Sequence, residues 1–209
     1  MKSASNFSKR PCKKAAKSSQ SGEIRIIGGQ WRGRKLKVHN KEGLRPTTDR
    51  LKETLFNWLM MDIRGARVLD AFAGAGSLCF EAASRGAAQV IGIEKDKQAA
   101  SQLKANCEQL KANTQVHILQ GDFFAVIKSQ SQAFDLVFID PPFHKGFMPK
   151  VIQALFEQDS LADHALLYLE QETNSEFDLI NCEWGTHFQL LKEKTAGQVS
   201  AQLFRYHRP

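Results

Sequence analysis

The chain of 209 residues suits one domain of ordinary size with a short extension, and an apolar share of 42% is enough for a sizeable core. No run approaches the ~18 apolar residues of a membrane-spanning helix, and the basic start "MKSASNFSKRPCKKAAK" has no apolar stretch behind it, so neither a membrane anchor nor a secretory signal is expected. The net charge of +7 is uneven: residues 1–52 hold 15 Lys and Arg against 3 Asp and Glu, whereas residues 53–209 hold 14 against 19.

A basic front end on a mildly acidic body favours a polyanionic partner, and nucleic acid is the usual one. Cys12, Cys79, Cys107 and Cys182 are scattered with no Cys-x-x-Cys pair. That argues against a zinc knuckle or a disulfide framework and fits a reducing, cytoplasmic setting. The six histidines form no metal or nucleophile pattern, so no metal is expected.

Residues 1–22, rich in Ser and Lys, are expected to form a disordered basic tail. Residues 23–62 read as a basic extension. In it, "EIRIIGGQWRGRKLKV" predicts two strands joined around Gly28-Gly29, with Trp31 at the start of the second strand and Arg32, Arg34, Lys35 and Lys37 along it. "GLRPTTDR" predicts a loop, and Pro46 followed by Thr47, Thr48 or Asp49 predicts a helix start. Leu51, Leu55 and Leu59 recur at a spacing of four, so residues 49–61 read as an amphipathic helix.

Residues 63–209 read as the main domain, in which strands and helices alternate. "ARVLDAF" predicts a strand, "GSLCFEAASRG" a helix, "AQVIGIE" a strand and "KQAASQLKANCEQLKA" a helix. "VHILQGD", "FDLVFID" and "ALLYLEQE" predict further strands, with a short helix at "FFAVIKSQ" and a longer one at "FMPKVIQALFEQ". "FQLLKEKTAGQVSAQLFRY" reads as two strands around Gly197. The fold class is α/β and Rossmann-like: a mainly parallel, doubly wound sheet closed by an antiparallel C-terminal strand pair.

The strand ends carry the chemistry. In "VLDAFAGAGSL", Gly74 and Gly76 sit at a strand-to-helix turn where the backbone can approach a ligand, and Asp70 closes the strand. One unit later Glu94 ends its strand, where an acid can accept both hydroxyls of a ribose. The third glycine of a dinucleotide fingerprint is missing, since Cys79 stands at its place, and Asp70 suits a cofactor with a positive amine better than a pyrophosphate. S-adenosylmethionine carries such an amine. Asp122 is placed to accept the adenine amino group and Phe123 to cover the ring. Then "LVFIDPPFHKG" ends a fourth strand in Asp140, Pro141, Pro142 and Phe143. A carboxylate and a rigidly directed proline carbonyl make two acceptors, which match the two N–H bonds of an exocyclic amine. An adjacent aromatic ring can stack on the base that carries the amine.

"FIDPPF" together with "DAFAGAG" resembles the S-adenosylmethionine-dependent methyltransferases of exocyclic amines. With "IRIIGGQWRGRKLKV", "LRPTTDRLKETLFNWL" and "VLDAFAGAGSLCFEAASRGA" added, the chain resembles the RsmD family from about Ile24 to its C-terminus. That family methylates N2 of one guanine in bacterial 16S ribosomal RNA. The sequence departs from the commonest motif at Phe143, where many relatives have Tyr; this keeps the stacking face and loses a hydroxyl. The resemblance implies that Asp70, Phe72, Gly74 and Gly76 line the methionine end of the cofactor, that Glu94 holds the ribose, and that Asp122 meets the adenine edge. It implies that Asp140 and the Pro141 carbonyl bind the target amine and that Phe143 stacks on the base. Arg32, Arg34, Lys35 and Lys37 are expected to meet RNA phosphates, and Arg45, Thr47 and Arg50 to lie near the entrance, against cofactor or RNA. The resemblance implies 16S ribosomal RNA or a small-subunit assembly intermediate as the partner, and a monomer is expected. Two alternatives stay open: an N6-adenine methyltransferase, and an RNA-binding protein that keeps the fold without catalysis.

Overall fold

The computed structural model describes residues 22–39, 49–142 and 146–209. The expected tail, the "GLRPTTDR" loop with Arg45 and Thr47, and Phe143 lie outside the described residues, apart from Gly22, Asp49 and Arg50.

A small antiparallel pair comes first, β1 (Glu23–Arg25) with β2 (Lys35–Lys37). Its alternation turns Ile24 and Leu36 inward and the charged residues outward. The expected strand pair joined around Gly28-Gly29 forms, but its connection is wide: Trp31 lies in a turn and not at the start of the second strand, and Arg32 and Arg34 precede that short strand. The glycines serve a close approach instead. Gln30 N donates to Ser84 O at 2.8 Å, and a Cβ on Gly29 (φ 74) would stand 1.9 Å from that same carbonyl. The connection is pressed against the end of a helix, and a side chain there would prise it off.

Helix α1 (Asp49–Trp58) follows, ending three residues before the expected bound. It leads into β3 (Arg67–Asp70), α2 (Ser77–Ser84), β4 (Gln89–Glu94), α3 (Lys97–Leu110), β5 (Val116–Gln120), α4 (Phe123–Val126), β6 (Phe134–Ile139), α5 (Phe147–Glu157), β7 (Leu161–Glu172), β8 (Phe188–Ala196) and β9 (Val199–Tyr206). The main sheet has the order β5-β4-β3-β6-β7-β9-β8. β5, β4, β3, β6 and β7 are parallel, and β9 runs antiparallel to both β7 and β8. The sheet class and its antiparallel closure are as expected from the alternating pattern. β7 begins earlier than expected, at Leu161, because the β6–β7 register shifts near Phe134 and His164 takes φ 62, so the strand's first residues pair irregularly.

Each face of the sheet buries its own core. α1, α2 and α3, together with Ile24, Ile26, Trp31 and Leu36, cover one face. α4, α5 and Leu179 cover the other. The basic extension is therefore built into a core and not merely tethered to it. Phe56 of α1 meets Phe138 of β6 edge-on at 5.9 Å, and Phe138 meets Tyr168 of β7 at 6.1 Å. Such pairs add roughly 0.5–1.5 kcal/mol each beyond their buried area.

From β3 the chain moves outward to β4 and β5, then returns to place β6 on the other side of β3. This reversal makes the carboxyl ends of β3 and β6 the topological switch point of the sheet, where open α/β sheets bind ligands.

Candidate active site

Asp70, Glu94, Asp122 and Asp140 all stand at or just past the carboxyl ends of neighbouring strands, β3, β4, β5 and β6. The loop after β3 is threaded between its two neighbours: Ala71 N donates to Phe138 O at 3.0 Å and Ala73 N to Ile93 O at 2.8 Å. Gly74 and Gly76 take φ 51 and 77. A Cβ on Gly76 would stand 2.5 Å from Leu103 and 2.7 Å from Phe80, so this glycine also lets α2 and α3 close on each other.

Asp70 is buried and turned under this loop. It accepts hydrogen bonds from the Cys79 thiol and from the backbone N–H groups of Phe72 and Cys79. Burial outweighs those bonds, with Glu94 adding repulsion, and pushes its carboxyl up to about 6. Cys79 reaches Asp70 through space left by Gly92, where a Cβ would stand 2.7 Å from the sulfur. The residue that breaks the dinucleotide fingerprint thus supports the loop's acid.

Glu94 is half-buried and fastens two loops. Its Oε2 accepts from Gly74 N at 2.8 Å and its Oε1 from Asp96 N at 2.7 Å. Asp122 caps α4 by accepting from Phe124 N at 3.0 Å and pairs with Lys95 at 2.9 Å. The Lys95 hydrogen bond holds its carboxyl below the usual carboxylate range. Phe123, expected to cover a bound ring, is buried with its own ring 5.6 Å from Phe72. The neighbouring Phe124 and Phe147 are half-buried and lie 6.2 Å apart. They line a groove of about 360 Å³ that runs away between α4 and α5, beside Lys128 and Lys150.

Asp140 is half-buried at the end of β6, Pro141 is buried and Pro142 exposed. Burial first, then Glu170 and Asp70, push the Asp140 carboxyl well above the usual carboxylate range. On the extension, Arg32, Arg34, Lys35, Lys37 and Arg50 are exposed. Lys35 is engaged by Glu23 at 3.1 Å.

Several residues that shape the site were not singled out from the sequence. Lys52 on α1 is 1% exposed; its Nζ donates to Arg25 O at 2.6 Å and to Ser77 Oγ at 3.2 Å. It joins β1, α1 and the start of α2. Glu81 is also buried, accepting from Ile27 N at 2.8 Å and pairing with Arg85 at 2.7 Å. Ser84 Oγ accepts from Trp31 N and donates to Gly28 O. Together these side chains fix the basic extension to α2, which begins at the glycine loop.

Among the described residues no group of acids, histidines and cysteines is arranged to hold a metal ion, and no helix is long and apolar enough to cross a membrane.

The family model described as conserved hypothetical protein 95 matches residues 24–205. Ribosomal RNA small subunit methyltransferase D of Haemophilus influenzae is 48% identical over 196 residues, which span 92% of this chain and 99% of that protein. The protein of the same name from Escherichia coli K12 is 44% identical over 187 residues, 90% and 92% of the two chains. A solved methyltransferase structure from Escherichia coli has a TM-score of 0.79 at 42% identity, covering 90% of this chain and 100% of that one.

Proposed function

This chain belongs to the RsmD family of ribosomal RNA methyltransferases, and on that premise we propose that it methylates the exocyclic N2 amine of one guanine in 16S ribosomal RNA during small-subunit assembly. Its methyl donor is S-adenosylmethionine. The donor set fits that cofactor: Asp70, Glu94 and Asp122 are acceptors for an amine and for hydroxyls, and three acids would repel a phosphate-bearing one. The cofactor supplies a methyl group activated on a positive sulfur.

The observation that carries the reading is the position of Asp140-Pro141 at the switch point between β3 and β6, beside the glycine loop. The guanine N2 lone pair is delocalised into the ring and is a poor nucleophile. Asp140 and the Pro141 carbonyl accept its two N–H bonds, favour a more tetrahedral nitrogen and aim the lone pair at the crevice. Alignment and electrostatics then supply most of the acceleration. The basic extension, fastened to α2 by Glu81, Ser84 and Lys52, holds RNA phosphates at a fixed distance from the crevice. The target guanine must leave its stack to enter. In this reading residues 23–62 form the RNA-binding extension, residues 63–209 the catalytic domain, and one chain suffices.

The test is methyl transfer from labelled cofactor to three acceptors: small subunits lacking the modification, naked 16S RNA, and double-stranded DNA. N2-methylguanosine in either RNA supports the proposal and shows which form is preferred. N6-methyladenine in DNA keeps the chemistry and overturns the substrate. Cofactor binding without transfer to any acceptor would make the chain a binding protein.

A further inference from the structure

The groove between α4 and α5, about 360 Å³ in volume, starts at the strand ends that carry the site. α4 follows Asp122, which caps it, and α5 opens at Phe147, in the segment after Asp140 and Pro141. Phe147 stands 6.1 Å from Phe72, in the loop after β3, and 6.2 Å from Phe124. The three half-buried rings form a line from the glycine loop into the groove, tilted by 41° and then 31°. Phe124 and Phe147 both line it, so flat apolar faces are open to whatever enters.

The same groove is edged with positive charge. Lys128, in the turn after α4, and Lys150, on α5, both line it and are exposed. Neither ammonium has an ion pair or hydrogen bond among the described residues. The one acid of the lining, Glu157, is engaged by Gln153, whose Nε2 donates to it at 2.7 Å. Residues 53–209 hold more acids than bases, 19 against 14, so two unpaired lysines on one groove run against the trend of the domain. The occupant must therefore be anionic and must carry flat rings. A single nucleic-acid strand is both. An amphipathic helix would need an unbroken apolar row on the walls, and Gln153, Glu157 and Gln158 interrupt it.

We propose that this groove holds the RNA strand beside the target base, roughly one or two unpaired nucleotides, with bases stacked on Phe124 and Phe147 and phosphates on Lys128 and Lys150. This rests on the reading that the strand ends receive an RNA base. The basic extension packs on one face of the sheet, and α4 and α5 pack on the other. An RNA held on both sides thus spans the carboxyl edge of the sheet, and the base between the two holds is the one drawn out of its stack.

The experiment compares the native protein with Lys128→Gln/Lys150→Gln and with Phe124→Leu, which keeps apolar bulk and removes the flat ring. Single-stranded 16S RNA fragments are bound at several salt concentrations with S-adenosylhomocysteine present, and affinity for S-adenosylhomocysteine is measured by itself. The lysine pair should bind RNA about tenfold more weakly and lower the salt slope by about 1.4, two contacts of about 0.7 each. Phe124→Leu should cost about tenfold and leave the slope unchanged. Affinity for S-adenosylhomocysteine should stay native in both. Unchanged RNA affinity in either folded variant overturns the proposal. So does an affinity for S-adenosylhomocysteine that falls in step with RNA, which would give the rings to the cofactor's adenine. Native binding of naked fragments with impaired methylation of small subunits would give the groove to a protein of the subunit, and overturns it too. Both lysines are exposed, so their variant decides by its salt slope even where Phe124→Leu does not fold. Binding is read without methyl transfer: a native protein that uses the groove but methylates no RNA sinks the parent reading alone.

Discussion

Glu94 and Gly74 are joined across two loops: the Glu94 Oε2 accepts from the Gly74 N–H at 2.8 Å while Oε1 holds Asp96 N–H at 2.7 Å. An acid at the end of β4 thereby fixes the shape of the loop that ends β3. Both oxygens keep a further lone pair, so the same carboxylate can hold the loop and accept ribose hydroxyls.

Glu94→Gln should therefore weaken cofactor binding more than it weakens the fold. The amide places a donor against one of two backbone donors. We expect a loss of stability of about 1–2 kcal/mol and a loss of affinity for S-adenosylhomocysteine of roughly ten- to a hundredfold. Calorimetric titration beside thermal melting checks this; an unchanged affinity with a lowered melting temperature would reduce Glu94 to a structural tie.

Asp70 makes the free protein sensitive to mild acid in an unusual direction. Its folded carboxyl is raised from 3.8 to about 6. A group raised on folding binds more protons folded than unfolded, so its contribution is fully present below 3.8 and is lost as pH rises through about 6. Ionising this buried group costs roughly 3 kcal/mol at neutral pH. A positive amine placed near Asp70 recovers part of that cost. Cofactor binding should then release a proton and tighten as pH rises through this window. Titrations in buffers of different ionisation heat measure the release directly; binding with no proton exchange between pH 5 and 7 would show that the amine sits elsewhere.

The sheet and its strand ends were legible because their signals are local. Apolar runs such as "LVFI" and glycine-marked turns follow from neighbours in sequence, and they place Asp70, Glu94 and Asp140 on adjacent strands. The residues that were missed owe their burial to distant partners. Lys52 and Glu81 look like solvent-facing charges until β1 and its connection fold over them. A signal was present for each of two. Lys52 sits one helical turn before Phe56, on the inward stripe of α1. Glu170 shares its strand face with Tyr168 by the period of two. Beside Asp122 the aromatic pair "FF" gave no way to tell which ring is sealed in, and packing against Phe72 settles it for Phe123.

Lys52→Met should show how much of the extension's attachment depends on one ammonium. Methionine keeps the apolar stem and removes the donors to Arg25 O and Ser77 Oγ, leaving two acceptors in a dry setting. The expected loss is about 2 kcal/mol, which for a chain of this size lowers Tm by roughly 4–8 °C. Native-state hydrogen exchange should show the loss concentrated in β1 and β2. Protection unchanged there would mean that Glu81 and Ser84 carry the attachment.

Asp140→Ala should remove methyl transfer while leaving affinity for S-adenosylhomocysteine within a few-fold. The substitution takes away one of the two acceptors proposed for the target amine and relieves Asp70 of a like charge. A loss of about a thousandfold or more in kcat is expected if Asp140 is the group that aligns the amine. Single-turnover transfer to 16S RNA checks it, and an alanine variant as active as the native enzyme would end this mechanism.

The outward face of the extension makes the last prediction. Arg32, Arg34 and Lys37 are exposed, whereas Lys35 is held by Glu23, so the first three are the ones free to meet phosphates. Changing them together to Gln should weaken RNA binding in a sequence-independent way, because phosphate contacts position a chain without reading bases. Each lost contact with a single-stranded phosphate lowers the salt slope by about 0.7, so three lower it by about 2. Changing Lys35 alone should alter the slope by less. The cofactor affinity should stay the same, since Ile24 and Leu36 keep the strand pair seated in the core. Binding isotherms for 16S RNA fragments at several salt concentrations separate the cases: a slope unchanged in the triple variant would mean that these charges only blunt the edge of the strand pair.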